Sequence, residues 1–157
     1  MQVKIDAGLQ ATWFDLWDVG RVQTVIAFKY NKESDLKTAI ASVESSLALH
    51  SRDEGDDKVM EAKILHTVGE CHVALAMREE DNQHNKKNKK RPKSAKVAGA
   101  SKKSYETALE YLEKSHALFK LHKGPHNPLT GREAESVAQL LMKLNRYEES
   151  KPYLLDA

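Results

Sequence analysis

The chain has 157 residues, enough for one modest core and too few for two independent domains. Its 40% hydrophobic and 31% charged residues are ordinary for a soluble globular protein, and no run approaches the roughly 18 apolar residues of a membrane-spanning helix. The net charge of +2 conceals a split: residues 82–103 hold nine of the 25 basic residues and no Asp or Glu, leaving 16 basic against 23 acidic elsewhere. A single cysteine, Cys71, rules out an internal disulfide and points to a reducing compartment. The first residues have neither a signal-peptide apolar stretch nor a transit-peptide character, so a cytoplasmic protein is expected; the alternatives are the nucleus, through the basic stretch, or an organelle after loss of a presequence.

The apolar positions predict six helices and no strand. Residues 1–18 form an N-terminal aromatic segment, and 13-WFDLW-17 opens a helix near 12–30. Trp13 and Trp17 share a helix face, as a cap over the open end of an array or as anchors for a partner. Ser34 and Asp35 start a second helix near 34–50, with Leu36, Ala39, Ile40, Val43 and Leu47 at helical spacing. The run 51-SRDEGDD-57 ends it and caps a third, near 57–79. A fourth, near 103–122, carries Ala108, Leu109, Leu112 and Leu118. Thr130 and Glu133 have capping-box spacing for a fifth near 130–144. Asn145, suited to the left-handed conformation, closes it before a sixth near 146–157, which contains Pro152.

A period of 42 residues runs through these helices. Ile26, Ala27 and Tyr30 are followed 42 positions later by Val68, Gly69 and His72, and Tyr105, Ala108, Leu112 and Ser115 by Tyr147, Ser150, Leu154 and Ala157. Small residues recur because helices that cross closely have no room for large ones. With Ala27, Gly69 and Ala138 on first helices, Ala39, Ala108 and Ser150 on second helices, and the stretch 124-GPHNPLTGREAESVAQLLMKLNRYEESKPYL-154, the chain resembles the tetratricopeptide repeat family, in its 42-residue kinesin-light-chain variant. The resemblance covers residues 20–157. It implies an all-α, right-handed superhelical array of three hairpins, about 19–50, 57–122 and 130–157. His72 departs from the family's aromatic and Gln23 from its usual Trp or Leu.

The two small residues of a repeat lie 12 apart in the first and third, Ala27 to Ala39 and Ala138 to Ser150, but 39 apart in the second, Gly69 to Ala108. Residues 81–107 therefore read as a basic, flexible insertion between the two helices of the middle repeat, a kind of change that loops tolerate. Lys86, Lys87, Lys89, Lys90, Arg91, Lys93 and Lys96 form its basic arm. That arm is a solvated loop, a docking segment for an acidic protein or RNA surface, or a nuclear import signal. It lacks the interleaved aromatics of single-strand binders.

No glycine-rich phosphate loop and no hydrolase or kinase motif occurs. Cys71 and His72 are consecutive and cannot face one another on a helix, and His66 with His72, like His116 with His122, are six apart and share no face. The expectation is a non-enzyme without cofactor or metal, with Cys71 a buried small hydrophobe. The resemblance implies a concave groove lined by first helices. It assigns Arg21, Thr24, Phe28 and Asn31, then Lys63, His66, Glu70 and Val73, then Arg132, Glu135, Gln139 and Met142 as the partner-binding groove. Arg21, Lys63 and Arg132 share a slot and would form a basic stripe for an acidic segment. Thr24 and Phe28 stand where a chaperone-tail carboxylate clamp would need Lys and Asn. The expected role is a protein-binding adaptor or subunit of a larger complex, with its C-terminal end covered by a partner or by self-association; the alternative is a ribonucleoprotein subunit holding RNA through the arm.

Overall fold

A computed structural model describes residues 12–30, 33–53, 56–86 and 99–157, and every regular element among them is an α-helix. These are α1 (Trp13–Tyr30), α2 (Glu33–Asp53), α3 (Lys58–Lys86), α4 (Ala100–Lys123), α5 (Pro128–Lys143) and α6 (Tyr147–Asp156). The all-α class expected from the apolar spacing is observed.

Helix ends follow local chemistry. Thr12 and Asp15 cap α1 reciprocally: Thr12 N–H donates to Asp15 Oδ2 at 2.9 Å and Asp15 N–H to Thr12 Oγ1 at 3.2 Å. Asp57 Oδ1 accepts from the Met60 N–H at 2.9 Å and so caps α3. The capping box expected at Thr130 and Glu133 does not form, because α5 starts earlier. Asn127 caps it, accepting from the Leu129 N–H at 3.0 Å, and Pro128 takes the first helical position, where it needs no donor. Thr130 is buried and donates to the Gly124 carbonyl, while Glu133 turns into the core. Asn145, at φ 60°, ends α5 with the Arg146 N–H donating to Leu141 O at 2.8 Å and its own N–H to Met142 O at 3.0 Å, a Schellman closure.

The helices pair antiparallel in chain order. In α1 and α2, Ser46 Oγ donates to the Trp13 carbonyl at 2.6 Å, and Ser42 Oγ to Gln23 Oε1 at 3.4 Å. In α3 and α4, Ser115 Oγ reaches the Ala62 carbonyl at 2.9 Å and Ser104 Oγ reaches Glu79 at 2.8 Å. In α5 and α6, Gly131 lies against Ala157. Each pair also packs on the next, α2 on α3 and α4 on α5. The small residues singled out by the period, Ala27, Ala39, Gly69, Ala108, Ala138 and Ser150, are all buried. At Gly69 the reason is explicit: an added Cβ would stand 2.7 Å from Leu112 Cδ2 and 3.4 Å from the Ala108 carbonyl.

Three apolar clusters hold the stack among the described residues, the smallest being Ala27, Leu36 and Ala74 between α1, α2 and α3. Ile40, Val43, Ile64, Val68, Cys71 and Leu75 join α2 to α3, with Trp13, Trp17 and Tyr111 packed against them. Ala76, Tyr105, Leu109, Leu112, Val137 and Leu141 join α3 and α4 to α5. Trp13 and Trp17 thus belong to the first helix and its core; Trp17 Nε1 donates to Thr67 Oγ1 at 2.9 Å.

The middle pair is longer than the spacing argument allowed. Residues 81–86 and 100–107, counted in the insertion, are helical: α3 continues to Lys86 and α4 begins at Ala100. The added turns are tied together by Tyr105, buried and donating its hydroxyl to Glu80 at 3.0 Å, by buried Ser101, and by the Ser104–Glu79 bond. Of the basic arm, Lys86 is the last residue of α3; Lys87, Lys89, Lys90, Arg91, Lys93 and Lys96 lie outside the described residues.

Candidate partner-binding face

The first helices of the three pairs, α1, α3 and α5, line two adjoining clefts. One, about 540 Å³, lies between α3 and α5 and is lined by Val73, Ala74, Met77, Tyr105, Leu112 and Leu140, with Glu70, Glu80, Asp81, Ser136, Gln139 and Lys143 at its polar margin. The other, about 400 Å³, lies between α1 and α3 and includes Arg21, Val22, Thr24, Val25, Ile26, Thr67 and Cys71. Glu70 lines both, so the two clefts meet at its side chain.

Five of the twelve expected groove residues line these two clefts. Arg21, Thr24 and Glu70 line the smaller cleft, and Glu70, Val73 and Gln139 the larger. Arg132 and Glu135 line a third depression beside Pro125 and Ala157. Lys63 and Met142 are exposed on α3 and α5. Phe28 falls in α1, but its side chain and the whole of Asn31 lie outside the described residues. Thr24 is turned partly inward: its hydroxyl donates to Gly20 O at 2.8 Å and sits 3.0 Å from Cys71 Sγ. Burial raises the Cys71 thiol above its ordinary value, which keeps it a protonated, packed side chain.

The shared slot of Arg21, Lys63 and Arg132 does not make an unbroken basic stripe. Arg21 is 3.7 Å from Asp18 and stands over the Trp17 ring at 4.9 Å. Glu70 lies within reach of both arginine charges. Its carboxyl is held below the usual range by the hydrogen bond from His66 first, and by the fields of His66, Arg132 and Arg21 after it.

His66 is the electrostatic centre. Its Nδ1 is 2.9 Å from Glu133 Oε1 and its Nε2 3.1 Å from Glu70 Oε1. Burial disfavours its charge, but the hydrogen bonds and attraction of the two carboxylates outweigh that and raise it to about 9. It is an imidazolium at neutral pH. Buried Ser115 Oγ lies 2.9 Å from Glu133 Oε2, so serine and histidine are joined through the carboxylate. That order differs from a nucleophilic triad, in which the imidazole must touch the serine. The cluster is arranged to hold α3, α4 and α5 together. Among the described residues no group of three or more His, Cys, Asp or Glu has the geometry to hold a metal ion, and no helix is long and apolar enough to cross a membrane.

Met77, Glu80, Asp81, Tyr105 and Lys143 were not assigned to the face from sequence. The groove positions were carried across by register, and α1 and α5 have only 18 and 16 residues against 29 in α3. A register transferred from the short helices stops at Val73. The available signal was the continuation of the same face, Val73, Met77 and Glu80 at i, i+4 and i+7.

No family model matches the chain, and neither a curated protein nor a solved structure does.

Proposed function

We propose that this protein is a three-repeat, tetratricopeptide-like array, coiled as a right-handed superhelix, that works as a non-catalytic adaptor or structural subunit of a larger complex. It captures a segment of a partner protein on the face formed by α1, α3 and α5. The observation that carries this reading is the pair of adjoining clefts along those three helices, which leave Val22, Val25, Ile26 and Met77 exposed beside convergent polar groups. The matching slots support the repeat reading. Ser46 and Ser115, each seven residues after the small residue of its second helix, are both buried and both bond a carbonyl of the paired helix. An acidic segment would meet Arg21, Lys63 and Arg132, one from each of the three helices.

The test is affinity capture from the native cell with three chains: intact, Met77→Asp with Val25→Asp, and Lys114→Asp on the opposite side. Partners held by the intact chain and by Lys114→Asp but lost from the double variant support groove capture. Identical partners from all three chains would sink it.

A second reading rests on the nine basic residues of 82–103 that have no acidic residue among them. It makes the protein a ribonucleoprotein subunit that holds RNA phosphates through the arm. Neutralising many phosphates requires affinity to fall steeply with salt, so a shallow salt dependence excludes it.

A further inference from the structure

The cleft between α3 and α5 has a chemistry different from that of the arginine slots. Its floor is apolar, with Val73, Ala74 and Leu140 flanking Met77, which is 44% exposed. Its margin carries three carboxylates, Glu70, Glu80 and Asp81, against one ammonium, Lys143. Glu70 already answers the His66 imidazolium, so the negative character is strongest at the far end, where Glu80 and Asp81 stand beside the Tyr105 ring. That end already seats a cation. Lys143 Nζ is 2.9 Å from Glu80 Oε2 and 5.6 Å from the centre of the Tyr105 ring, the combination of carboxylate and aromatic face that favours an ammonium or guanidinium. From Glu70 to Asp81 the cleft follows α3 for about 16 Å at ~1.5 Å per residue, which matches about five residues of extended chain.

We propose that this cleft receives a partner segment bearing a lysine or arginine next to an apolar side chain. The apolar group packs on Met77 and Leu140, where an unbranched thioether adapts to its shape. The cation lies against Asp81 and Glu80 at the Tyr105 end, alongside Lys143 or in its place. Lys143 is then a tethered competitor for the seat. This inference rests on reading the α1, α3 and α5 face as a partner-binding face, and it names the chemistry of one part of it.

The test uses the full chain and two short fluorescein-labelled peptides of the same length: leucines alternating with lysines, and the same peptide with glutamates for the lysines. Fluorescence anisotropy is read for the native chain, Asp81→Asn and Lys143→Gln, with circular dichroism to show that all three keep their helices. The lysine peptide is expected to bind, about threefold to fivefold more weakly to Asp81→Asn and more tightly to Lys143→Gln. Binding of the lysine peptide that neither substitution alters overturns the proposal. So does binding of the glutamate peptide alone, weakened by Lys143→Gln; that result leaves the partner-binding reading in place. If neither peptide binds at about millimolar concentration, this proposal is overturned, while the partner-binding reading is decided separately by the affinity capture.

Discussion

His66 shows how a single residue can set the pH range in which this fold is stable. Its ordinary value is 6.5 and its folded value about 9, because Glu133 and Glu70 hold the protonated ring against the penalty of burial. A group raised on folding contributes its full stabilisation below the unfolded value and loses it as pH climbs through the folded one. The contribution is therefore complete below 6.5 and gone above about 9, and is worth on the order of 3 kcal/mol. Glu70 has the opposite sign, being lowered on folding, so its share is lost only as the solution becomes acidic. Tyr105, raised by burial and by Glu80, opposes unfolding less only above its ordinary 10.0. The urea midpoint is thus expected to fall between pH 7 and 9.5, and His66→Gln should flatten that fall. Glu133→Gln should cost about 1–3 kcal/mol at pH 7, since it weakens a buried charged pair, and should drop the imidazole titration seen by NMR toward its ordinary value. An unchanged titration would show that Glu133 does not hold the ring. None of this was legible in the sequence: His66 was placed on the groove by register and Glu133 in a helix cap. Residues 67 apart are brought together only by stacking α5 on α3, and no local pattern announces that.

At the scale of the helices, the pattern was far more informative. Period and punctuation located all six, because apolar spacing and turn residues are local properties. The small residues carried tertiary information as well, since they mark where backbones approach. Gly69 is the sharpest case, with Leu112 Cγ only 2.8 Å from where a Cβ would stand. Gly69→Val should therefore destabilise by about 1–3 kcal/mol, the cost of overpacking a filled site. Gly69→Val with Leu112→Ala should recover part of that loss, because the second change removes the atoms that clash. If the two losses simply add in denaturant titrations, the close approach of α3 and α4 is not what requires glycine there. What the pattern missed was the length of α3 and α4. The spacing comparison measured how far the middle pair exceeds its neighbours, and most of the excess was read as loop. A helix hairpin lengthened symmetrically gives the same spacing as an inserted loop. Only the pairing of Tyr105 with Glu80 and of Ser104 with Glu79 tells them apart.

At the scale of the whole molecule, that distinction decides which experiment can separate the arm from the scaffold. Excising residues 81–107 would remove Tyr105, which is 2% exposed and bonded to Glu80, together with the end of α3, and so would damage the core joining α3 and α4 to α5. Residues 87–98 are the right cut. They leave α3 at Lys86 and rejoin at Gly99, which lies beside the Gln83 side chain, so a linker of about four Gly and Ser residues spans the gap. Shortening the loop from 12 residues to about four changes closure entropy by only about 1 kcal/mol, in the stabilising direction. The shortened chain is therefore expected to keep its helicity and its urea midpoint. It also loses six of the 25 basic residues, turning a net +2 into −4. Retention on immobilised RNA or on an acidic protein surface then reads the arm alone. If a salt-sensitive partner disappears while helicity and midpoint survive, the basic segment is a working contact. If the same partners return, binding belongs to the α1, α3 and α5 face. A lower midpoint would mean that residues 87–98 contribute to the fold, and the division into scaffold and arm would have to be redrawn.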